Sequence, residues 1–190
     1  MKVPTNITAL LACTAKANTN RPILEHVYLD RKDAGEPKLV ATNGVCLAVV
    51  PLDGEFAEAD TAGLVSPSAI KFLGKVKKWS AEDDARLNGN VSANGASVPR
   101  TLPGYEDGEE NPYPSWRNVM PPKTEDVPEG GYRVSINASV LVMIAEAAKV
   151  GADKGADPIR VTLTFRNGHL AFLWETAHGT HGAAMPLPVR

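Results

Sequence analysis

The feature that most constrains this chain is a pattern that appears three times: a short strand, a helix, then strands turned by Asn-Gly. In the first copy the opening strand is at most residues 1–4. Apolar residues then recur at Ile7, Leu10, Leu11 and Thr14, one face of a helix over about 5–18, with Thr5 or Asn6 as cap. The run Asn18–Pro22 ends that helix, because the residue before a proline avoids helical backbone. Strands follow at 23–29, 38–42 and 46–50, the last two joined across Asn43-Gly44, a dipeptide that accepts positive φ in a tight hairpin.

The second copy opens with a strand at 63–66. Ser66 caps a helix predicted over 68–79, with Pro67 at its first position. Strands are expected at 84–88 and 91–93 around Asn88-Gly89, and Asn94-Gly95 offers a further turn. The Gly-, Pro- and acid-rich run 103–114 reads as loop. After a linker rich in Pro, Gly and Glu (PPKTEDVPEGG), the third copy supplies a strand at 132–136 and a helix from Asn137 to about Val150, ended by Gly151. Strands at 159–166 and 169–174 flank Asn167-Gly168, and a last strand falls at 182–189. Units of about 60 residues form a structural repeat. One unit cannot bury both faces of its helix and sheet, so units pack in pairs or a row. The expected fold class is α+β, with helices on one face of antiparallel sheets.

Charge narrows the possible partners. The chain has 20 basic and 22 acidic side chains, a net charge of -2, so bulk attraction to nucleic acid is not expected and any contact must come from a local patch. One candidate patch lies on the second helix. Lys71, Lys75 and Lys78 share a stripe about 60° wide at 100° per residue, opposite Ala69, Leu73 and Val76. This is either a solvated lysine face or a surface that touches phosphates without reading sequence. Lys16 with Arg21, and Lys149, add to it.

Catalytic and metal signatures do not assemble. His178-Gly-Thr-His181 has a metal-like spacing, but Gly179 and the β-rich context argue against a helical pair, and no acid or cysteine motif completes it. Glu106, Asp107, Glu109 and Glu110 read as a solvated loop. There is no GxSxG, Walker A or GxGxxG pattern. The expectation is a protein without catalytic activity, metal or cofactor. Cys13 and Cys46 read as reduced thiols of a cytoplasmic protein. No apolar run is long enough for a membrane span, and the N-terminus does not read as a secretion signal.

Three stretches, taken together and in order, resemble the bacterial sliding clamp, the beta subunit of DNA polymerase III. Arg21-Pro-Ile-Leu through Val40-Ala-Thr-Asn-Gly-Val-Cys-Leu-Ala48 resembles the middle clamp domain, where a VATDG-x-x-LA pattern follows a strand. Tyr113-Pro-Ser-Trp-Arg-Asn-Val-Met-Pro121 resembles its closing FPDYRRV-x-P segment. Met185-Pro-Leu-Pro-Val189 is similar to the MPMRL ending of such clamps. The resemblance implies a DNA-clamp-like fold in a shortened form: one complete two-unit domain over 1–121, a linker at 122–130, and half of a further domain over 131–190.

The resemblance also implies function. Clamp helices line a hole around duplex DNA, which would place Lys71, Lys75 and Lys78 toward phosphates, with Lys16, Arg21 and Lys149 near them. Clamps also carry a groove for short peptides of polymerases and repair proteins. The matching positions are Thr42, Gly44, Val45 and Leu47, then Pro114, Asn118 and Val119, then Met185, Pro186, Leu187 and Pro188. Val45 and Cys46 replace the usual polar or basic pair, and Asn118 and Pro188 each replace an arginine.

The expected function is a replication processivity factor that encircles or contacts duplex DNA and tethers a polymerase or repair protein. The alternative is a clamp-like decoy or regulator that binds such peptides without encircling DNA. The third unit has no expected partner within the chain, so a second copy is expected to cover it, giving a dimer, or a tetramer closing a ring of twelve units.

Overall fold

The structure is a computed structural model that describes residues 2–17, 20–30, 37–53, 62–76, 80–82, 90–93, 96–99, 113–120, 136–152, 159–166 and 169–184. Its spine is a seven-stranded, wholly antiparallel sheet in the order β4-β1-β2-β3-β10-β9-β8. These strands are β1 (Val27–Asp30), β2 (Lys38–Thr42), β3 (Cys46–Pro51), β4 (Gly63–Val65), β8 (Arg160–Arg166), β9 (His169–Glu175) and β10 (His181–Ala184). A second sheet holds β5 (Ser80–Glu82), β6 (Asn90–Ala93) and β7 (Ala96–Pro99). The architecture is α+β, as the repeat predicts.

The alternation of side chains along the strands builds two cores. Leu39, Ala41, Cys46, Ala48 and Val50 face the helices, with Ile7, Ile70, Val140 and Ile144 packed over them. Val40, Leu47, Val49 and Leu64 face the other way, against Ile23, Leu24, Tyr113 and Trp116. β3 is consequently buried on both faces, and its continuous apolar run is the sequence mark of such a strand.

Helix α3 (Ala138–Ala147) begins where expected, with the Asn137 side chain accepting from the Ser139 N–H at 2.9 Å. It buries Val140, Ile144 and Ala147, a helical stripe, with Ala148 buried just beyond its end. The other helices differ from expectation. The first is a 3-10 helix over Ile7–Cys13, in which Ile7, Leu10 and Cys13 are buried; a period of three stacks them on one side. Asn6 precedes it at φ 57 and does not cap it; its side chain donates to the Lys149 carbonyl at the end of α3. Helix α1 spans only Pro67–Leu73 under the expected Ser66 cap. Gly74 follows at the poorest interior helix residue after proline, and a Cβ there would lie 2.7 Å from Thr8 Cγ2. The chain leaves the helix where it must pass close to its neighbour.

The strand expected at 23–29 is split: Pro22–Glu25 forms a second 3-10 helix before β1. The Asn43-Gly44 turn forms by a different device. Only Gly44 takes positive φ, at 87°. Asn43 acts through its side chain, whose Oδ1 accepts from the N–H groups of Val45 and Cys46, both at 2.9 Å. The strand expected at 132–136, the linker at 122–130, the strand at 84–88 and the remaining Asn-Gly turns lie wholly or largely outside the described residues.

One expectation is overturned. The third unit does have a partner within the chain. β10 pairs with β3 from His181↔Val49 to Ala184↔Cys46, and α3 packs on the first 3-10 helix, because two unit sheets joined edge to edge bury backbone groups that either alone would expose. Unit mixing extends further, since β4 of the second unit pairs with β1 of the first. Left open are Leu141 and Val142 on α3 and Val161 on the end strand β8, exposed by 47%, 60% and 47%.

The β3–β10 seam leaves no room at Gly182. A Cβ there would lie 1.8 Å from the Leu47 carbonyl oxygen and 2.8 Å from Trp174 Cε2. Gly182→Ala should lower unfolding free energy by about 3 kcal/mol, the upper range for overpacking, as measured by urea denaturation. A loss under about 0.5 kcal/mol, the scale of a neutral surface change, would show that the seam is not closely packed.

Candidate peptide-binding cleft

At the end of the β2–β3 hairpin, on the sheet face away from the helices, four segments meet around a cleft of about 250 Å³. The hairpin supplies Thr42, Gly44, Val45, Cys46 and Leu47; the segment after the second sheet supplies Pro114 and Trp116; β9 and β10 supply Ala171, Ala183 and Ala184. Arg21 and Leu24 complete it from the second 3-10 helix and the residue before it. Ala171 and Ala183 leave the space, while Leu24, Leu47 and Trp116 give it apolar walls. Arg21 and Thr42 supply the polar rim.

Each wall is held by identifiable bonds. Thr42 Oγ1 donates to the Cys46 carbonyl at 2.9 Å and accepts from the Gly44 N–H at 3.1 Å, which fixes the hairpin tip. Val45, beside it, is 48% exposed. The Pro114–Trp116 wall is locked to β1. Asp30, 2% exposed, accepts from Trp116 Nε1 and from Arg117 Nη1, and the Arg117 guanidinium lies 4.5 Å from the Trp116 ring centre. Tyr113 stacks on Tyr28 at 5.0 Å and donates its hydroxyl to the Val40 carbonyl at 3.2 Å. Burial pushes the Tyr113 phenol well above its ordinary value, because the phenolate would lose its hydration.

The sequence-predicted groove residues Thr42, Gly44, Val45, Leu47 and Pro114 are thus brought together. Asn118 lines an adjoining hollow of about 280 Å³ that it shares with Tyr28, Asp30 and Trp116, and Val119 ends helix α2 (Trp116–Val119). Met185, Pro186, Leu187 and Pro188 lie outside the described residues; Ala184, just before them, is at the cleft. Sequence reasoning did not select Leu24, Cys46, Trp116, Ala171, Ala183 or Ala184. Leu24 and Trp116 sat inside the quoted motifs, so an apolar residue beside an expected groove position was the available signal. The alanines gave none.

The basic residues are dispersed. Lys71 is exposed in the last turn of α1, and Lys75 is exposed just beyond the helix end; the shorter helix therefore does not carry both, and Lys78 lies outside the described residues. Lys149 pairs with Glu146 at 2.6 Å. Lys16 is exposed between the 3-10 helices. Arg21, grouped with these lysines from sequence, stands at the cleft, with Nη1 3.5 Å from where a Gly44 Cβ would be. Among the described residues no three His, Cys, Asp or Glu side chains cluster as metal ligands, and no helix is long and apolar enough to cross a membrane.

The fold and the cleft define a sliding-clamp architecture, and solved structures agree. The DNA polymerase III beta subunit of Borrelia burgdorferi superposes with a TM-score of 0.67 at 12% identity, covering 97% of this chain and 62% of that one. The Helicobacter pylori beta clamp bound to a DNA ligase peptide gives 0.66 at 12%, covering 100% and 65%. The Streptococcus pneumoniae beta chain gives 0.64 at 15%, covering 100% and 66%. This chain spans just under two thirds of the length of these clamps. No family model and no curated protein matches the sequence.

Two measurements test the wall. Removing the buried Asp30 carboxylate by Asp30→Ala leaves Trp116 Nε1 and Arg117 without this acceptor, and should cost about 3 kcal/mol in urea unfolding. A cost below about 1 kcal/mol, the scale of an exposed pair, would show that the lock is superficial. For Tyr113 the folded-state pKa is raised, so its contribution to stability is complete below the unfolded value near 10 and is lost as pH rises above it. Absorbance titration of the folded protein should show a component that ionises well above the ordinary phenol range and that Tyr113→Phe removes; its absence from the unaltered protein would contradict that burial.

Proposed function

We propose that this chain is a non-enzymatic, clamp-like binding protein of the cytoplasm that captures a short peptide of a polymerase or repair protein in the cleft and contacts duplex DNA through its helix side. The observation that supports this most directly is the convergence of Thr42, Gly44, Val45, Leu47 and Pro114 around one apolar cleft, in a fold shared with a clamp solved with a DNA ligase peptide. An apolar floor with a small polar rim suits a Leu or Phe anchor, and a few such anchors dominate interfaces of this kind.

Isothermal titration with a clamp-binding peptide carrying a Leu or Phe anchor tests the reading. Micromolar affinity, about -8 kcal/mol, is expected. Leu47→Ala should weaken it by roughly 1 kcal/mol or more. No heat and no change in tryptophan fluorescence with any such peptide would remove the cleft as a peptide site.

DNA contact is proposed for Lys71 and Lys75, with Lys78 on the segment beyond; Lys16 and Lys149 are secondary. Binding should be weak, independent of sequence, and lose about one unit of salt slope per phosphate contact removed. Reversal of the three lysines to Glu should abolish retention on circular DNA; unchanged retention would show that these lysines are not the DNA-contacting face, and no retention of the unaltered protein would favour the peptide-binding decoy. One observation already supports that second reading: Ala138, Ser139, Leu141, Val142 and Ala145, the exposed residues of α3, carry no charge, unlike a helix face meant for phosphates. Self-association belongs to the first reading. Sedimentation equilibrium near 40 kDa would indicate a dimer and near 80 kDa a tetramer of the 20.2-kDa chain, whereas a monomer would favour the decoy.

A further inference from the structure

Two thiols meet between the first 3-10 helix and the sheet. Cys13 ends the first 3-10 helix and Cys46 begins β3, and their Sγ atoms lie 3.5 Å apart across a sequence separation of 33. Both are essentially buried, at 0% and 1% exposure. No local chain geometry forces such an approach; packing of the 3-10 helix on the sheet creates it. The next polar contact of Cys13 Sγ, to the Met143 carbonyl, is longer at 3.8 Å. The Cys46 backbone is fixed on both sides, its N–H by Asn43 Oδ1 and its carbonyl by Thr42 Oγ1. A disulfide has its sulfurs about 2.05 Å apart, so a closure of about 1.5 Å separates the observed contact from a bond.

We propose that Cys13 and Cys46 form a redox-active pair that closes an intramolecular disulfide, tying the first 3-10 helix to the strand that builds the cleft wall. The oxidant is a small peroxide. Neither sulfur is exposed, so the peroxide enters when the 3-10 helix opens locally from the sheet, and Cys46 is oxidised first. Its sulfur attacks one peroxide oxygen, the O–O bond breaks, and one water leaves a sulfenic acid at Cys46. The Cys13 sulfur then attacks the Cys46 sulfur. The S–S bond forms, the S–O bond breaks, and the departing hydroxide takes the Cys13 proton as the second water. Two thiols lose two electrons and two protons, and one peroxide becomes two waters. Cys13 is suited to the second step only: contact with Cys46, then burial, holds its proton well above the ordinary thiol range, and a thiol is a poor first nucleophile. The pair does not depend on what the cleft binds.

The test exposes the folded, full-length protein to hydrogen peroxide, blocks remaining thiols by alkylation, and maps non-reduced peptides by mass spectrometry. The expected product is a monomer in which the Cys13 and Cys46 peptides are linked, and which dithiothreitol returns to two free thiols. Cys13→Ser should stop at a dimedone-reactive sulfenic acid on Cys46. Recovery of both cysteines as free thiols after denaturation, or links only between molecules, would overturn the proposal, and this wild-type measurement stands whether or not the variant folds.

Discussion

Strand β3 is the constraint on which the rest depends. It is paired with β2 on one side and β10 on the other, and its side chains enter both cores. A strand in that position has no solvent face to absorb error. A one-residue slip would exchange Cys46, Ala48 and Val50 with Leu47 and Val49 and misplace both cores at once. The Asn43 side-chain turn and the close approach at Gly182 fix the register from either side. The cleft is a consequence of that register, since Leu47 and Ala183 flank it only with β10 aligned beside β3.

Parts of the fold were legible because caps, strands and turns carry local chemistry. Ser66 and Asn137 cap the helices they were expected to cap, and Lys38–Thr42 and Cys46–Pro51 form the hairpin that Asn-Gly announces. What local chemistry does not contain is the neighbour. The first helix tightens to 3-10 geometry where it is wedged between α1, α3 and the sheet. Helix α1 stops at Leu73, just before Gly74, where any Cβ would meet Thr8. The covering of the third unit by β10 against β3 is a long-range pairing, with no sign in either strand alone.

The candidate site was legible in the same uneven way. The hairpin residues and Pro114 were found because a motif resemblance located them. Arg21 was placed with the lysines because its charge was visible and its position was not. Ala171 and Ala183 matter as absences of bulk, and a small apolar residue in a strand looks the same whether it makes room for a ligand or for a neighbour. Asp30 and Arg117 are distant in sequence, so the lock on the Pro114–Trp116 wall required the fold to be known.

The assembly of the cleft also has an order in time. Its hairpin emerges early from the ribosome, its Trp116 wall in the middle, and its β10 wall last. Loop closure over so long a span is slow relative to local turn formation. Until β10 arrives, the outer edge of β3 and the side chain of Leu47 lack their final cover. A nascent chain therefore passes through a stage with an unpaired strand edge beside an apolar half-site, the kind of surface that chaperones recognise. Cleft formation reports the pairing of β10 with β3, so its walls stand together only once that pairing has formed.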